Sequence, residues 1–196
     1  VIVATVLLHG LTAGWVADWL GLRHPVATGW LIVGANRFAR EVAATISRVA
    51  KVPVLLLDLN TKSVREARTA GLPALVVDAR DTQALVDRSE MHGIGNLLAL
   101  TDNEDLNNVL CRRWAESFGR HHVFGWHSAA GAPSVSRELT PSVVWSRLPR
   151  PSILSSNLDH ARAQVTVQEL SNPKDTTPDG TLLLAGSSVV LVDPLN

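Results

Sequence analysis

The stretch from residue 30 to residue 58 constrains the fold of this chain more than any other. It opens with an apolar run that breaks at Gly34, continues with apolar residues at helical spacing, and closes with a second apolar run that stops at Asp58. Short apolar runs bounded by turn residues favour buried strands, and the spacing between them favours an amphipathic helix. The segment therefore predicts a strand, a tight turn, a helix and a second strand, which together form a βαβ unit.

The tight turn carries a weakened dinucleotide-binding fingerprint. Residues 34–39 read Gly-Ala-Asn-Arg-Phe-Ala against the pattern G-x-G-x-x-G/A, and Asp58 follows 24 positions after the first glycine. In such units the N–H groups at the helix start face a pyrophosphate, and the acid accepts hydrogen bonds from a ribose. The predicted phosphate-binding residues are Gly34, Ala35, Asn36, Arg37 and Phe38. The alternative is a domain that kept this turn and lost its ligand.

Asn36 is the main departure from the fingerprint. The middle position is normally glycine, so that the backbone can approach the pyrophosphate closely. The asparagine side chain either moves the nucleotide outward or supplies an amide donor of its own, and the sequence leaves both readings open. Ala39, in the place of the third glycine, is an accepted variant.

The alternation of strand and helix patterns continues beyond Asp58. Apolar runs predict strands at residues 74–77, 94–100, 122–126 and 143–145, with helices predicted at 61–70, 81–88, 104–118 and 134–139. The helix at 104–118 is expected to bury Leu106, Val109, Leu110 and Trp114. Regular alternation of this kind predicts an α/β fold, a Rossmann-like doubly wound parallel sheet with helices on both faces.

Polar residues follow several of these strands. Asp78 and Ala79 come after the third strand, and Thr101 and Asn103 come after the fourth. Ligands bind at the carboxyl ends of parallel strands, so these residues are predicted to join Asp58 around one nucleotide. An acid at Asp58 repels a 2′-phosphate, which favours NAD or an adenosine nucleotide over NADP. Capping of a following helix is the alternative role for each acid.

Composition excludes several other functions. Lysine plus arginine and aspartate plus glutamate both number 18, so no basic field predicts binding to nucleic acid. The chain has no tyrosine, which rules out a Tyr–Lys proton-donor pair, and its one cysteine, Cys111, is predicted to serve packing. His121, His122 and His127 follow no zinc-binding spacing. We therefore predict neither a metal site nor catalytic residues, and a nucleotide site that senses rather than turns over its ligand.

The ends of the chain differ from its centre. Residues 1–22 predict the end of a transmembrane helix or an interfacial helix that carries Trp15 and Trp19, although an ordinary docked helix fits equally well. Residues 23–28 are predicted to be a linker and residues 29–148 the nucleotide-binding domain. Residues 149–196 predict a small β-rich segment, with an amphipathic stretch at 155–163 and strands at 164–170, 181–185 and 188–192.

Residues 29–148 resemble the nucleotide-binding domain that regulates potassium conductance, known as RCK, KTN or TrkA-N. The matching pieces are residues 32–39, Asp58, residues 77–79, and residues 101–103 together with Asn107. The departures are Asn36 and Ala39 at glycine positions and Val77 where the family often has glycine. The resemblance implies a homodimeric regulator of cation channels or transporters that binds NAD(H), ATP or ADP.

A second resemblance covers the first 22 residues. Residues 5–12 and 17–22 are similar to the end of the last membrane helix in CPA1 (NhaP-type) sodium/proton antiporters, some of which carry an RCK-like domain directly afterwards. This implies a cytosolic regulatory domain of a monovalent cation/proton antiporter, on the cytoplasmic side of the cell membrane, with the membrane domain upstream as its partner. The alternatives are an NAD-dependent oxidoreductase and an RCK-like assembly module without a ligand.

Overall fold

The structure is a computed structural model that describes Thr12 and residues 27–128, 142–144, 148–169, 182–183 and 188–194. Except for Thr12, the predicted membrane-proximal helix at 1–22 lies outside these residues, as does the predicted helix at 134–139. Within the described ranges, every helix is too short or too polar to cross a bilayer.

The central domain alternates strands and helices in chain order, as predicted. Its elements are β1 (Gly29–Val33), α1 (Arg37–Ala50), β2 (Val54–Asp58), α2 (Thr61–Thr69), β3 (Ala74–Val76), α3 (Thr82–Val86), a 3₁₀ turn (Ser89–Met91), β4 (Ile94–Ala99), α4 (Glu104–Phe118), a second 3₁₀ turn (Arg120–His122), β5 (Val123–Trp126) and β6 (Ser142–Val144).

The six strands form one parallel sheet in the order β3-β2-β1-β4-β5-β6. Ile32 of β1 pairs with Leu56 of β2 on one side and with Leu98 of β4 on the other. The strand order therefore reverses between β1 and β4, which makes their carboxyl ends the switch point where ligands of such sheets bind. This confirms the Rossmann-like doubly wound fold.

Alternate residues of β1 feed two hydrophobic layers, one on each face of the sheet. Ile32 packs with Phe38, Val42 and Ile46 of α1, all fully buried. Leu31 and its like-facing neighbours pack instead with side chains of α4, among them Leu110 and Trp114. A parallel strand that is buried on both faces appears in the sequence as a continuous apolar run. For this reason the apolar runs predicted the positions of β1 and β2 correctly.

One expected core position is wrong. Val109 of α4 is 42% exposed, whereas Asn107, two positions earlier, is fully buried. The apolar spacing alone favoured the valine, but the buried face of α4 begins with a polar side chain because that side chain satisfies backbone groups below it. Small boundary differences also occur: His122 belongs to a 3₁₀ turn rather than to β5, and Val77 lies beyond the end of β3.

The C-terminal segment contains the three predicted strands and a helix in front of them. These elements are α5 (Pro151–Asp159), β7 (Ala163–Glu169), β8 (Leu182–Leu183) and β9 (Ser188–Pro194), and the strands form an antiparallel sheet in the order β7-β9-β8. The helix starts four residues before the predicted amphipathic stretch because Pro151 is pre-organised for a first helical position. Leu154 of α5 is 1% exposed and joins the same core layer as α1.

Candidate nucleotide-binding site

A cavity of about 530 Å³ opens at the carboxyl ends of β1 to β4. Seven of the ten predicted site residues line it: Gly34, Asn36, Asp58, Asp78, Ala79, Thr101 and Asn103. These residues come from four separate strand ends, and the parallel sheet brings them together as the switch-point argument requires. Its volume lies within the range of small-molecule pockets.

Gly34 makes the sharp turn between β1 and α1. Its φ of +102° is a conformation that L side chains rarely adopt, and an added Cβ would lie 2.8 Å from the carbonyl oxygen of Leu100. Its N–H donates to the carbonyl of Leu57 at 2.8 Å. The turn therefore requires glycine for both its backbone angle and its close approach to the end of β4.

Asp58 lies at the end of β2 and faces the turn. Its Oδ2 accepts a hydrogen bond from the N–H of Ala35 at 2.7 Å, and its Oδ1 accepts one from the N–H of Asn60 at 2.8 Å. Each carboxylate oxygen has a second lone-pair direction, so these contacts orient the side chain and leave it able to accept from a ribose. The acid is thus held in place by backbone donors on both sides of the cavity.

The side chain of Asn36 builds the start of α1. Its Oδ1 accepts from the N–H of Ala39 at 2.9 Å as the N-cap, and its Nδ2 donates to the carbonyl of Leu100 at 3.0 Å. The amide is therefore engaged by the protein itself, which favours a structural role over a phosphate contact. Asn36 fastens the tight turn to the end of β4.

The residues that follow β4 are fixed by the buried Asn107. Its Oδ1 accepts from the hydroxyl of Thr101 at 2.7 Å and from the N–H of the same residue at 3.2 Å. Its Nδ2 donates to the carbonyls of Thr101 at 3.0 Å and of Trp126 at 2.9 Å. Asn103 then caps α4 by accepting from the N–H of Leu106 at 3.0 Å. One buried side chain therefore sets the path of this wall of the cavity.

Asp78 and Arg80 form the opposite wall. The guanidinium of Arg80 donates to both carboxylate oxygens of Asp78, at 2.6 to 3.0 Å, and these hydrogen bonds hold the pKa of the aspartate below its usual value. Asp78 is therefore ionised at neutral pH. The charged side chains that line the cavity are three carboxylates, Asp58, Asp78 and Asp102, and one guanidinium, so the cavity favours hydroxyl and amino donors over anions.

Most of the segment that builds this cavity matches a known domain family. Residues 30–124 match the TrkA-N domain family. The matched segment runs from β1 to β5 and contains the turn at Gly34, Asp58 and every other predicted site residue. No curated protein matches the chain.

Three solved structures illustrate what this chain is similar to. One is the NAD(P)-binding domain of an exopolyphosphatase-related protein from Archaeoglobus fulgidus, with 14% identity, a TM-score of 0.49, and coverage of 67% of this chain and 96% of that one. A second is the TrkA-N domain of the inner membrane protein ybaL from Escherichia coli, with 14% identity, a TM-score of 0.49, and coverage of 68% and 96%. A third, the GsuK channel bound to NAD, has 14% identity, a TM-score of 0.47, and coverage of 96% and 43%.

Three of the predicted phosphate-binding residues lie outside the cavity wall. Ala35 and Phe38 are fully buried, so only their backbone groups can contact a ligand. Arg37 points along α1, where its guanidinium pairs with Glu41 at 2.8 Å and lies 3.7 Å from Asp159 of α5. These ion pairs are exposed and each stabilises by less than about 1 kcal/mol, so Arg37 is available for other partners.

Sequence reasoning missed several residues of the cavity. Asn60 and Ser63 belong to the first turn of α2, where Asn60 is the N-cap, and a capping residue soon after a strand-ending acid was a usable signal. Ser152, from α5, also lines the cavity and donates its N–H to Asp102 at 2.9 Å. Nothing local in the sequence links Ser152 to a site some 50 residues upstream.

His127 is the one buried histidine among the described residues, at 1% exposure. Neither ring nitrogen has a hydrogen-bond partner within the described structure, and the nearest acid, Glu104, lies 3.7 Å from Nδ1. Burial lowers its pKa from the usual value, and Glu104 only partly offsets this effect. The ring is therefore neutral in the folded protein at pH 7.

We expect His127→Phe to raise the free energy of unfolding by about 1–2 kcal/mol, because it replaces an unpaired buried polar ring with an apolar one of similar shape. The lowered pKa means that the unfolded chain binds a proton more readily, so wild type loses stability as pH falls below about 6.5. Urea unfolding at pH 8 and pH 5 measures both effects, with the exposed His121→Phe as control. An equal pH dependence in wild type and His127→Phe would contradict the assignment.

Proposed function

We propose that this chain is the nucleotide-sensing regulatory part of a monovalent cation/proton antiporter that moves sodium or potassium, and that its ligand is NAD(H), ATP or ADP. The cavity at the switch point carries this proposal, because it joins the Gly34 turn, the ribose-facing acid Asp58 and the polar ends of β3 and β4. The TrkA-N match over residues 30–124 supports it, since the resemblance implies regulation of cation channels and transporters by adenine nucleotides.

The orientation of the ligand follows from charge. Asp58 and Asp78 can accept hydrogen bonds from the hydroxyl groups of a ribose and the amino group of an adenine. The one cationic side chain that lines the cavity is Arg80, and it is already paired with Asp78. The phosphates therefore belong at the start of α1, where backbone N–H groups and the helix dipole favour negative charge. We therefore place the adenosine half of the ligand in the cavity, beside the two acids, and its phosphates near Phe38 at the start of α1.

We propose no catalytic step for this site. Burial raises the pKa of the Cys111 thiol to about 12, so this side chain does not supply a nucleophile at neutral pH. The alternative, an NAD-dependent oxidoreductase, predicts oxidation of bound NADH by some small carbonyl substrate. Absorbance of NADH at 340 nm during incubation with a panel of aldehydes, ketones and 2-oxo acids separates the two hypotheses.

The partner that this proposal requires is a membrane domain upstream of residue 1. The TrkA-N domain then lies on the cytoplasmic side of the cell membrane, in a homodimer, with residues 23–28 as the link. Cation-driven proton flux in proteoliposomes of the full-length protein, with and without nucleotide on the domain side, tests the assignment. Flux that no nucleotide alters, together with a stable dimer in sedimentation, would favour the assembly module instead.

We expect Asp58→Ala to weaken nucleotide binding about 10- to 100-fold, because a charge-assisted hydrogen bond to the ribose is worth roughly 1–3 kcal/mol. Isothermal titration calorimetry with NAD, NADH, ATP and ADP measures the change. Asp58→Asn keeps an oxygen that can accept from the N–H of Ala35, and so separates loss of charge from loss of the turn.

The matched control is Asp105→Ala, since Asp105 is an exposed acid of α4 that does not line the cavity. It is expected to bind nucleotide as wild type does. Equal affinities for Asp58→Ala and Asp105→Ala would remove Asp58 from the ribose site. Absence of heat from all four nucleotides at millimolar concentration would reject nucleotide sensing as a whole.

A further inference from the structure

The first turn of α1 is already occupied by another part of the chain. The N–H of Phe38, one of the donors expected to face phosphate, donates to the hydroxyl oxygen of Ser155 in α5 at 3.1 Å. The N–H of Ala39 donates to Asn36, and the N–H of Ala35 donates to Asp58. A serine hydroxyl therefore stands where a phosphate oxygen would accept the same hydrogen bond.

Ser155 is anchored on both sides of this contact. Its hydroxyl lies 2.7 Å from the carbonyl of Pro151 and 3.2 Å from Oδ1 of Asn36, so it can donate to either while accepting from Phe38. The backbone of Ser152 adds a hydrogen bond to Asp102, at the edge of the cavity. Helix α5 is thus joined by polar contacts to both β-strand ends that flank the switch point.

The apolar attachment of α5 to the TrkA-N domain is small. Leu154 is its one fully buried leucine, and Leu158 is half-buried against the same layer. Ile153, the next residue towards the N-terminus, is 49% exposed. Besides Leu154, only Pro151 of α5 is buried, and the remaining contacts are a few hydrogen bonds and the exposed ion pair of Asp159 with Arg37. A short helix held in this way is of the kind that opens locally at modest cost.

We propose that α5 is a displaceable cap on the phosphate-binding end of α1, and that the phosphates of a nucleotide and the Ser155 hydroxyl compete for the N–H of Phe38. This rests on the proposed function, because the competitor is the nucleotide itself. The adenosine side of the cavity stays open with α5 in place, so the ligand enters there and its phosphates then displace the helix. Binding thereby releases α5, and with it the start of β7 four residues later.

Two substitutions with matched controls on the same helix test the competition. Ser155→Ala removes the hydroxyl and leaves the N–H of Phe38 for phosphate, so NAD is expected to bind about 3- to 10-fold more tightly, the effect of one hydrogen bond. Ser156→Ala, on the exposed neighbour, is expected to leave the affinity unchanged. Leu154→Ala should also tighten binding by loosening α5, whereas Ile153→Ala should not.

A reversible lock makes the test decisive. Asn36→Cys combined with Ser155→Cys places two thiols where the side chains already meet, and the buried Cys111, with its raised pKa, stays out of the exchange. Calorimetry with NAD on the oxidised and the reduced form of the same full chain compares a held cap with a free one. Hydrogen exchange of the α5 amides in wild type, with and without NAD, reports whether the helix is released.

The expected results are binding at least about 10-fold weaker in the oxidised form than in the reduced form, and faster exchange of α5 in the presence of NAD. Equal binding by both forms, with unchanged or slower exchange of α5, would overturn the cap while nucleotide sensing stands. Absence of binding by wild type, by Ser155→Ala and by the reduced form would reject the proposed function and the cap together.

Discussion

Gly34→Ala is expected to lower the free energy of unfolding by about 3–5 kcal/mol, through backbone strain of roughly 1–3 kcal/mol and a steric clash of similar size. The φ of +102° supplies the strain, and the carbonyl of Leu100, 2.8 Å from the added Cβ, supplies the clash. Because that carbonyl is backbone at the end of β4, it cannot rotate away. Urea unfolding followed by far-UV circular dichroism measures the loss.

Gly71→Ala is the matched control for this substitution. Gly71 also has a positive φ, of +79°, but nothing lies within 4 Å of the Cβ that would be added there. It should lose only about 1–2 kcal/mol, the cost of the backbone angle. Similar losses at the two glycines would show that the close approach of β1 to β4 contributes nothing to the turn.

Asn107→Ala is expected to lower the free energy of unfolding by about 2–4 kcal/mol, since it leaves the buried carbonyl of Trp126 unsatisfied and removes the hydrogen bonds to the half-buried Thr101. The same change frees the wall that runs from Thr101 to Asn103, so amide exchange in that segment should accelerate more than in β1. Native-state hydrogen exchange measures both effects. The half-buried Asn108→Ala, one residue along α4, is the control and should change stability by less than about 1 kcal/mol.

The fold was largely predictable because its signals are local. The bounds of α4, Glu104–Phe118, agree with those predicted, and the βαβ unit was located by apolar runs and by a glycine whose angle no other residue adopts easily. Val109 was misplaced because a spacing rule counts apolar residues and ignores a buried amide that satisfies backbone groups. Periodicity cannot distinguish Asn107 as a core residue until the strand beneath it is known.

The part of the site that lies at the strand ends was predictable from the sequence, whereas the part contributed by α5 was not. Strand-ending acids and the Gly34 turn are visible in sequence order, so Asp58, Asp78 and Thr101 were placed correctly around the cavity. The contact of Ser155 with Phe38 spans 117 positions in the sequence. No pattern in the C-terminal segment predicts that its helix packs against the Gly34 turn. Long-range contacts of this kind depend on how two packed layers meet, which no local pattern encodes. Nucleotide contacts by the predicted residues stay predictions.

The buried Trp114 gives this molecule a spectroscopic reporter that needs only uniform ¹⁵N labelling. Its indole Nε1 donates to the carbonyl of Ala79 at 3.0 Å, and Ala79 lines the cavity on the side of β3, away from α5. In a ¹⁵N–¹H spectrum, the indole resonance of Trp114 will therefore shift when the adenosine side is filled, whether or not the cap moves. The amide resonance of Phe38 responds instead to the loss of Ser155. Two peaks in one titration thus report separately on the filling of the adenosine side and on the loss of the Ser155 contact at the start of α1.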